Sequence, residues 1–174
     1  MIFVIGLFPN IFLTQIQGAT QRVQQDFENR VPAGAPKYFE GGMKLLPRAH
    51  YTALEVSAYL CRRYGWTRAP IETFRARRPY DLVICYDVLQ YLDGRAAARA
   101  LANFARLCRG VLYFSALTRR DYAQNCDRER TDAAVHLRSA RWYRQRLRPH
   151  FQELGLGFWA RRGAPLTLWE LESQ

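Results

Sequence analysis

The sequence predicts an α/β fold: a mostly parallel sheet covered by helices, with an antiparallel hairpin at its C-terminal edge. Three observations carry that expectation. The stretch "YDLVICYDVLQYL", residues 80–92, holds a continuous apolar run from Leu82 to Cys85 that stops at Tyr86-Asp87. A strand buried on both faces reads as such a run, whereas a half-exposed one alternates. Strand-like and helix-like segments then take turns along the chain, the order that builds a parallel sheet. Finally, "GFWAR" (157–161) and "LTLWELE" (166–172), separated by "RGAP", pattern as an antiparallel hairpin.

Each element has a local reason. "HYTALEV", residues 50–56, is a strand candidate that ends on Glu55, and Ser57 is placed to cap the next helix. That helix, "SAYLCRRYG", stops at Gly65. "APIETF", residues 69–74, reads as a short strand, and Asp81–Cys85 as the next one. Val88, Leu89 and Leu92 recur at three- and four-residue spacing, as one face of a helical turn would. In "DGRAAARALANFARLCRG", Asp93 caps a helix whose buried face is Ala97, Leu101, Phe104 and Cys108, and Gly110 closes it. "VLYFSALT", 111–118, is a buried strand, followed by a polar insert, Arg119–Leu137, and a helix over Ser139–Arg148. Strand ends of the kind seen at Cys85-Tyr86-Asp87 are where open α/β sheets bind ligands.

Composition narrows the classes. An apolar fraction of 49% over 174 residues describes one globular domain with a real core. Cys61, Cys85, Cys108 and Cys126 form no CxxC pair, and His50, His136 and His150 show no ligand spacing, so no metal site is expected. Scattered thiols of this kind point to a reducing, cytoplasmic setting. The net charge of +11 invites a polyanion reading. Yet an arginine-rich surface of solvated helix faces accounts for it as simply, so nucleic acid is not the favoured partner.

The chain has a seam. Both lysines, Lys37 and Lys44, precede residue 50, whereas residues 51–174 hold 21 arginines and no lysine. Residues 1–31 comprise an apolar opening and an amphipathic helix, in which Ile11, Phe12, Ile16, Ala19, Val23 and Phe27 share a face. Residues 32–48, with "RVPAGAPKYFEGG" at their start, read as a linker, and 49–174 as the α/β domain. The opening run is about a dozen residues, short of the roughly 20 that span a bilayer, so no stable membrane span is expected. Around "GLFPNIFL", the first 45 residues or so resemble the C-terminal tail of the membrane-embedded M subunit of NADH–quinone oxidoreductase.

From about residue 48 onward, the ordered stations resemble the second half of a class I S-adenosylmethionine-dependent methyltransferase, a Rossmann-like fold. "ALEVSAYL" is similar to the second strand of that family, which implies that Glu55 holds the cofactor's ribose hydroxyls. The resemblance also implies that Pro70 and Ile71 flank the adenine, and that Cys85, Tyr86 and Asp87 border the methionine end. Tyr91 stands where many members carry a histidine, so no catalytic residue is carried over. S-adenosylmethionine is the implied cofactor, and the methyl acceptor, a small molecule or a macromolecule, is unidentified.

One station is missing. The family's first strand and its glycine-rich turn belong about 20 residues before Glu55. There the chain reads "KYFEGGMKLLPRA", whose Gly41-Gly42 follows a polar stretch. The sheet is therefore expected to be incomplete in its N-terminal half, unless the apolar run "IFVIG", residues 2–6, takes the empty place through an overlong loop. Three functional classes follow: a methyltransferase impaired by the missing motif, a non-catalytic truncated or fused remnant, and a basic nucleic-acid-binding module using Arg119–Arg130 and Arg141–Arg148.

Overall fold

The computed structural model describes residues 2–6, 50–127, 131 and 134–166. Its strands are β1 (Ile2–Gly6), β2 (Tyr51–Glu55), β3 (Thr67–Arg68), β4 (Tyr80–Tyr86), β5 (Cys108–Ser115), β6 (Phe151–Gly155) and β7 (Phe158–Arg161). The helices are α1 (Ala58–Tyr64), α2 (Gly94–Leu107), α3 (Arg119–Gln124) and α4 (Ala140–Leu147), with a 3-10 turn at Leu89–Tyr91. All seven strands join one sheet in the order β3-β2-β1-β4-β5-β7-β6. The first five neighbours run parallel, and β7 pairs antiparallel with both β5 and β6. The mostly parallel sheet with a C-terminal antiparallel hairpin is the fold that the sequence predicts.

The place between β2 and β4 is not empty. Ile2 pairs with Tyr51 on one side and Leu82 on the other, and Gly6 reaches the level of Tyr86. Without β1, the facing edges of β2 and β4 would leave backbone donors and acceptors unpaired inside the protein. The apolar run at the extreme N-terminus thus makes the sheet continuous. The helix expected over 10–31, the linker 32–48 and most of the segment resembling the NADH–quinone subunit lie outside the described residues.

The core lies between the sheet and the α2–α4 layer. Asp93 accepts hydrogen bonds from the Arg95 and Ala96 backbone N–H groups, which starts α2 where the sequence places it. Ala97, Ala100, Leu101, Phe104 and Leu107 recur at helical spacing and pack with Val83, Cys85, Leu112 and Phe114 of β4 and β5. Fully burying a side chain such as Phe104 or Leu101 stabilises the fold by about 1.5–3 kcal/mol. The first helix is equally local in origin: the Ser57 hydroxyl accepts from Leu60 N–H, and Gly65 takes the left-handed conformation, φ +68°, that ends it.

Four local expectations are corrected. Residues 69–74 are not a strand: the pairing falls two residues earlier, at Thr67–Arg68, and the Pro70 carbonyl accepts from Thr73 and Phe74 N–H in a turn. Proline at 70 has no N–H for a ladder, and buried Asn103 of α2 holds the turn by donating to the Ile71 and Phe74 carbonyls. Gly110 does not close α2 but sits inside β5, where a side chain would collide with the Asp81 carbonyl of β4. The segment after Asp87 makes only a single 3-10 turn before α2 begins afresh. The expected hairpin partner of "GFWAR", 166–172, lies from residue 167 on outside the described residues, and the hairpin observed is with Phe151–Gly155. Its two-residue loop, Leu156-Gly157, has φ +50° and +83°, the left-handed pair that suits tight hairpins.

Candidate functional site

Chain order locates the crevice before any side chain does. From β1 the sheet grows one way, through β2 to β3, and from β4 it grows the other way, through β5. The carboxyl ends of β1 and β4 are therefore the point where the winding reverses, and ligands of open α/β sheets bind there. Gly6 occupies the end of β1, with Glu55 at the end of β2 and Tyr86-Asp87 at the end of β4.

Glu55 is only 4% exposed, unusual for an acid, and makes no ion pair among the described residues. Its Oε1 accepts two backbone hydrogen bonds, from Val56 at 2.7 Å and Ser57 at 2.8 Å. These fold the carboxylate back over the start of the β2–α1 connection and fix its direction. Among the described residues no donor reaches Oε2. Val56, next in the chain, is exposed.

Asp87 terminates β4 with φ +52°, a conformation that costs a non-glycine residue energy and that short polar side chains tolerate best. Two bonds to β5 over-determine it: Asp87 N–H donates to the Ser115 carbonyl at 3.1 Å, and Ser115 Oγ donates to Asp87 Oδ1 at 3.1 Å. Burial raises the Asp87 pKa above the ordinary carboxylate value, the Ser115 bond opposes that, and nearby Asp121 adds to the rise. Asp121 itself accepts from the Thr118 hydroxyl that caps α3. Two acids thus approach the carboxyl ends of β4 and β5, one of them with an enhanced hold on a proton.

The remaining sequence candidates divide. Tyr86 is half-buried on the sheet face opposite α2, its ring parallel to Tyr113 at 6.3 Å, with Phe158 a further 5.0 Å beyond Tyr113. Cys85 is fully buried under α2, where desolvation pushes its thiol well above the usual range. Only its backbone can face the crevice. Ile71 is likewise a core side chain, 4% exposed, whereas Pro70 is exposed at the turn. Glu55, Tyr86 and Asp87 are therefore brought to the crevice by side chain, and Ile71 and Cys85 are not.

Sequence reasoning missed the group that holds the crevice's outer wall. Arg138, 8% exposed, donates to the carbonyls of Leu89, His136 and Leu92, so one guanidinium ties the insert to the turn after Asp87. Buried Gln90 completes the tie: its carbonyl accepts from His136 N–H at 2.7 Å, and its side-chain oxygen accepts from Leu117 N–H at 3.4 Å. Trp142 of α4 lies under both Arg138 and Arg146, at 4.9 and 3.7 Å from ring centre to guanidinium carbon. Arg138 is one of many arginines in a basic stretch, and nothing in the sequence separates it from the solvated ones. Gln90 carried a signal, being the lone polar residue between Leu89 and Tyr91 in an otherwise apolar turn.

Comparison with known proteins gives the class of fold. No family profile matches the chain, and no curated protein matches it. Among solved structures, it is similar to the N-methyltransferase NodS from Bradyrhizobium japonicum WM9 in complex with S-adenosyl-L-homocysteine. That match has a TM-score of 0.53 and 17% identity, over 92% of this chain and 76% of that one. An O-methyltransferase family protein from Burkholderia thailandensis gives a TM-score of 0.54 at 10% identity, over 95% of this chain and 51% of that one. The [4+2]-cyclase SpnF gives 0.51 at 11% identity, over 87% and 52%. The chain has the Rossmann-like fold of the S-adenosylmethionine-dependent methyltransferase superfamily. Among the described residues, no helix is long and apolar enough to cross a membrane.

Proposed function

We propose that this protein is an S-adenosylmethionine-dependent methyltransferase acting on an acceptor of unidentified structure. The fold alone does not decide it, since a cyclase shares that fold. The carrying observation is Glu55: a buried carboxylate at the end of β2, one strand from the winding reversal, with one oxygen fixed by backbone N–H groups and, among the described residues, no donor on the other. Ribose hydroxyls are donors of the right kind for that oxygen, so the residues present fit the nucleoside end of the cofactor. When bound, the cofactor supplies an electrophilic methyl group. Tyr86 and Asp87 would border its methionine end, the backbone of Pro70, Ile71 and Cys85 would contribute the remaining walls, and Arg138 would hold the turn that closes them. A hydroxyl or amine acceptor sheds a proton as it is methylated, and Asp87, with its raised proton affinity, is placed to take it.

A second reading rests on one observation. The residues after Gly6 are "LFPN", which lack the glycines that let a backbone approach a ligand closely, and this favours a remnant that binds the cofactor weakly. Calorimetry with S-adenosylmethionine and S-adenosylhomocysteine separates the two. The methyltransferase reading expects binding that Glu55→Ala weakens by the loss of charged hydrogen bonds worth about 1.5–3 kcal/mol. That is roughly one to two orders of magnitude in affinity. Glu55→Gln keeps the bonds to Val56 and Ser57 but turns the open acceptor into a donor, so it should weaken binding without unfolding the chain. Tight binding unchanged in both variants would sink the site assignment. No binding to the wild type would leave the fold standing and make the protein a remnant.

A further inference from the structure

The amino-terminal rim of the sheet, at the far end from the crevice, has a chemistry of its own. Arg77 and Arg78 are exposed in the segment leading into β4, and Arg106 is exposed in the last turn of α2. Arg109 is the second residue of β5, Arg162 follows β7, and Arg148 ends α4, all of them exposed. Strand register makes these neighbours rather than scattered charges. Tyr80 pairs with Cys108, Val111 with Ala160, and Phe151 with Arg161, while Arg162 N–H donates to the His150 carbonyl. Arg162 Nε also donates to the Arg148 carbonyl, which joins the end of β7 to the end of α4. The row crosses β4, β5, β7 and β6, three strand spacings or about 14–15 Å.

Acids are scarce along it. Among the described residues, Asp81 pairs with Arg109 at 2.7 Å, and Glu153 reaches Arg148 at 3.8 Å. Arg77, Arg78, Arg106 and Arg162 have no carboxylate partner among the described residues. The helices above continue the pattern, since neither α2 nor α4 contains an acid. Glu55, Asp87, Asp93 and Asp121 lie instead toward the carboxyl ends, where they stand among arginines such as Arg95, Arg119 and Arg138.

We propose that this rim binds the phosphate backbone of a nucleic acid, independently of the crevice. Guanidinium forks match phosphate oxygens two at a time, and one strand of a duplex presents a phosphate about every 3.4 Å of axis, hence about four along the row. A membrane surface fits less well. The exposed apolar residues Leu154, Leu156 and Phe158 gather at the β6–β7 turn, the other end of those strands. Among the described residues Leu166, four positions after Arg162, is the one large exposed apolar side chain on the rim side of β7, too little to anchor a membrane contact. The exposed rings Tyr59 and Tyr64 belong to α1, not to the rim, so the recognition is of backbone charge without base stacking and is independent of sequence.

The test is fluorescence anisotropy with labelled single-stranded and duplex oligonucleotides, titrated between about 50 and 200 mM salt. About four phosphate contacts give a slope of log affinity against log salt near −3 for a single strand, at about −0.7 each. The triple variant Arg77→Gln, Arg78→Gln, Arg106→Gln should reduce that slope to about −1. A control of equal charge, Arg62→Gln, Arg63→Gln, Arg120→Gln, should leave it unchanged, with circular dichroism confirming that both variants fold. Equal losses in the two variants would reduce the effect to net charge and overturn the proposal. So would a slope near zero, or tighter binding to vesicles rich in anionic lipid than to either oligonucleotide.

Discussion

Asp81 is the second residue of strand β4 and Asp87 directly follows its last, and the two carboxylates are pushed in opposite directions. At the amino end, the Arg109 guanidinium beside Asp81 lowers its pKa from 3.8 to about 2. At the carboxyl end, burial raises Asp87, against the Ser115 bond and with the help of Asp121. One end is a closed joint between β4 and β5, where the register shifts between Tyr80 and Leu82 and Gly110 lies against the Asp81 carbonyl. The other is a strained, partly dehydrated end where the backbone turns through φ +52°. The same two strands are therefore a fastening at one end and a strained, half-buried acid at the other. Strain and unfavourable burial persist only where surrounding bonds over-determine them, and here those bonds come from Ser115.

The largest effect should come from breaking the fastened end. Gly110→Ala forces a methyl group into the Asp81 backbone, which has no freedom to retreat within a central strand pair. A loss of about 3 kcal/mol is expected in urea unfolding. An unchanged midpoint would show that the two strands separate more easily than their register implies. Next comes the wall of the open end. Arg138→Met keeps the length of the side chain but leaves the Leu89, Leu92 and His136 carbonyls without their donor, and should cost about 2 kcal/mol. Hydrogen exchange at the 88–92 turn should rise with it, while exchange in β5 near Val111 stays slow.

A smaller effect sharpens the contrast itself. Asp87→Asn tolerates the left-handed backbone and still accepts from Ser115, but it removes the buried charge. Because the folded-state pKa of Asp87 is raised, the wild type is penalised once pH exceeds that pKa and is relieved as pH falls toward the ordinary carboxylate range. The variant should therefore be the more stable of the two at pH 7, with an advantage that shrinks toward pH 4. An advantage that grows as pH falls would reverse the assignment. The smallest effect belongs to the exposed pair. The stabilisation from Asp81 is present above pH 3.8 and fades as pH falls toward about 2, and Arg109→Gln should reduce that fading, leaving the part that comes from the chain's N-terminal ammonium. High salt should shrink the difference between Arg109→Gln and wild type, since exposed charges are screened.

Local signals account for what could be read beforehand. Ser57, Gly65 and Asp93 mark helix ends because caps satisfy the backbone groups next to them in sequence, and all three stand where those signals put them. The continuous apolar run of β4 declared a buried parallel strand for the same reason. Errors fell where a glycine or proline had two local meanings. Gly110 could end a helix or admit a neighbouring strand, and only the position of the Asp81 carbonyl chooses. "RGAP" reads as the hairpin turn, whereas the observed hairpin turns at Leu156-Gly157 through a left-handed pair that the sequence reading passes over.

For the candidate site, the sequence by itself determined the residues at strand ends: Glu55 and Tyr86-Asp87, because a strand's last residues are defined by where its apolar run stops. It also determined the arginine-only charge of the region after residue 50, which is a property of composition. Only the tertiary structure decided which ends lie side by side. It put Ile2–Gly6 between β2 and β4, a pairing across more than forty residues that no local spacing encodes. It turned Cys85 away from the crevice, because alternation along a strand fixes relative faces but not which face meets the helices, and it buried Ile71 in a turn rather than on a strand. And it joined Arg138 to carbonyls some 46 to 49 positions earlier, a contact set by the path of the insert rather than by any neighbour in the chain.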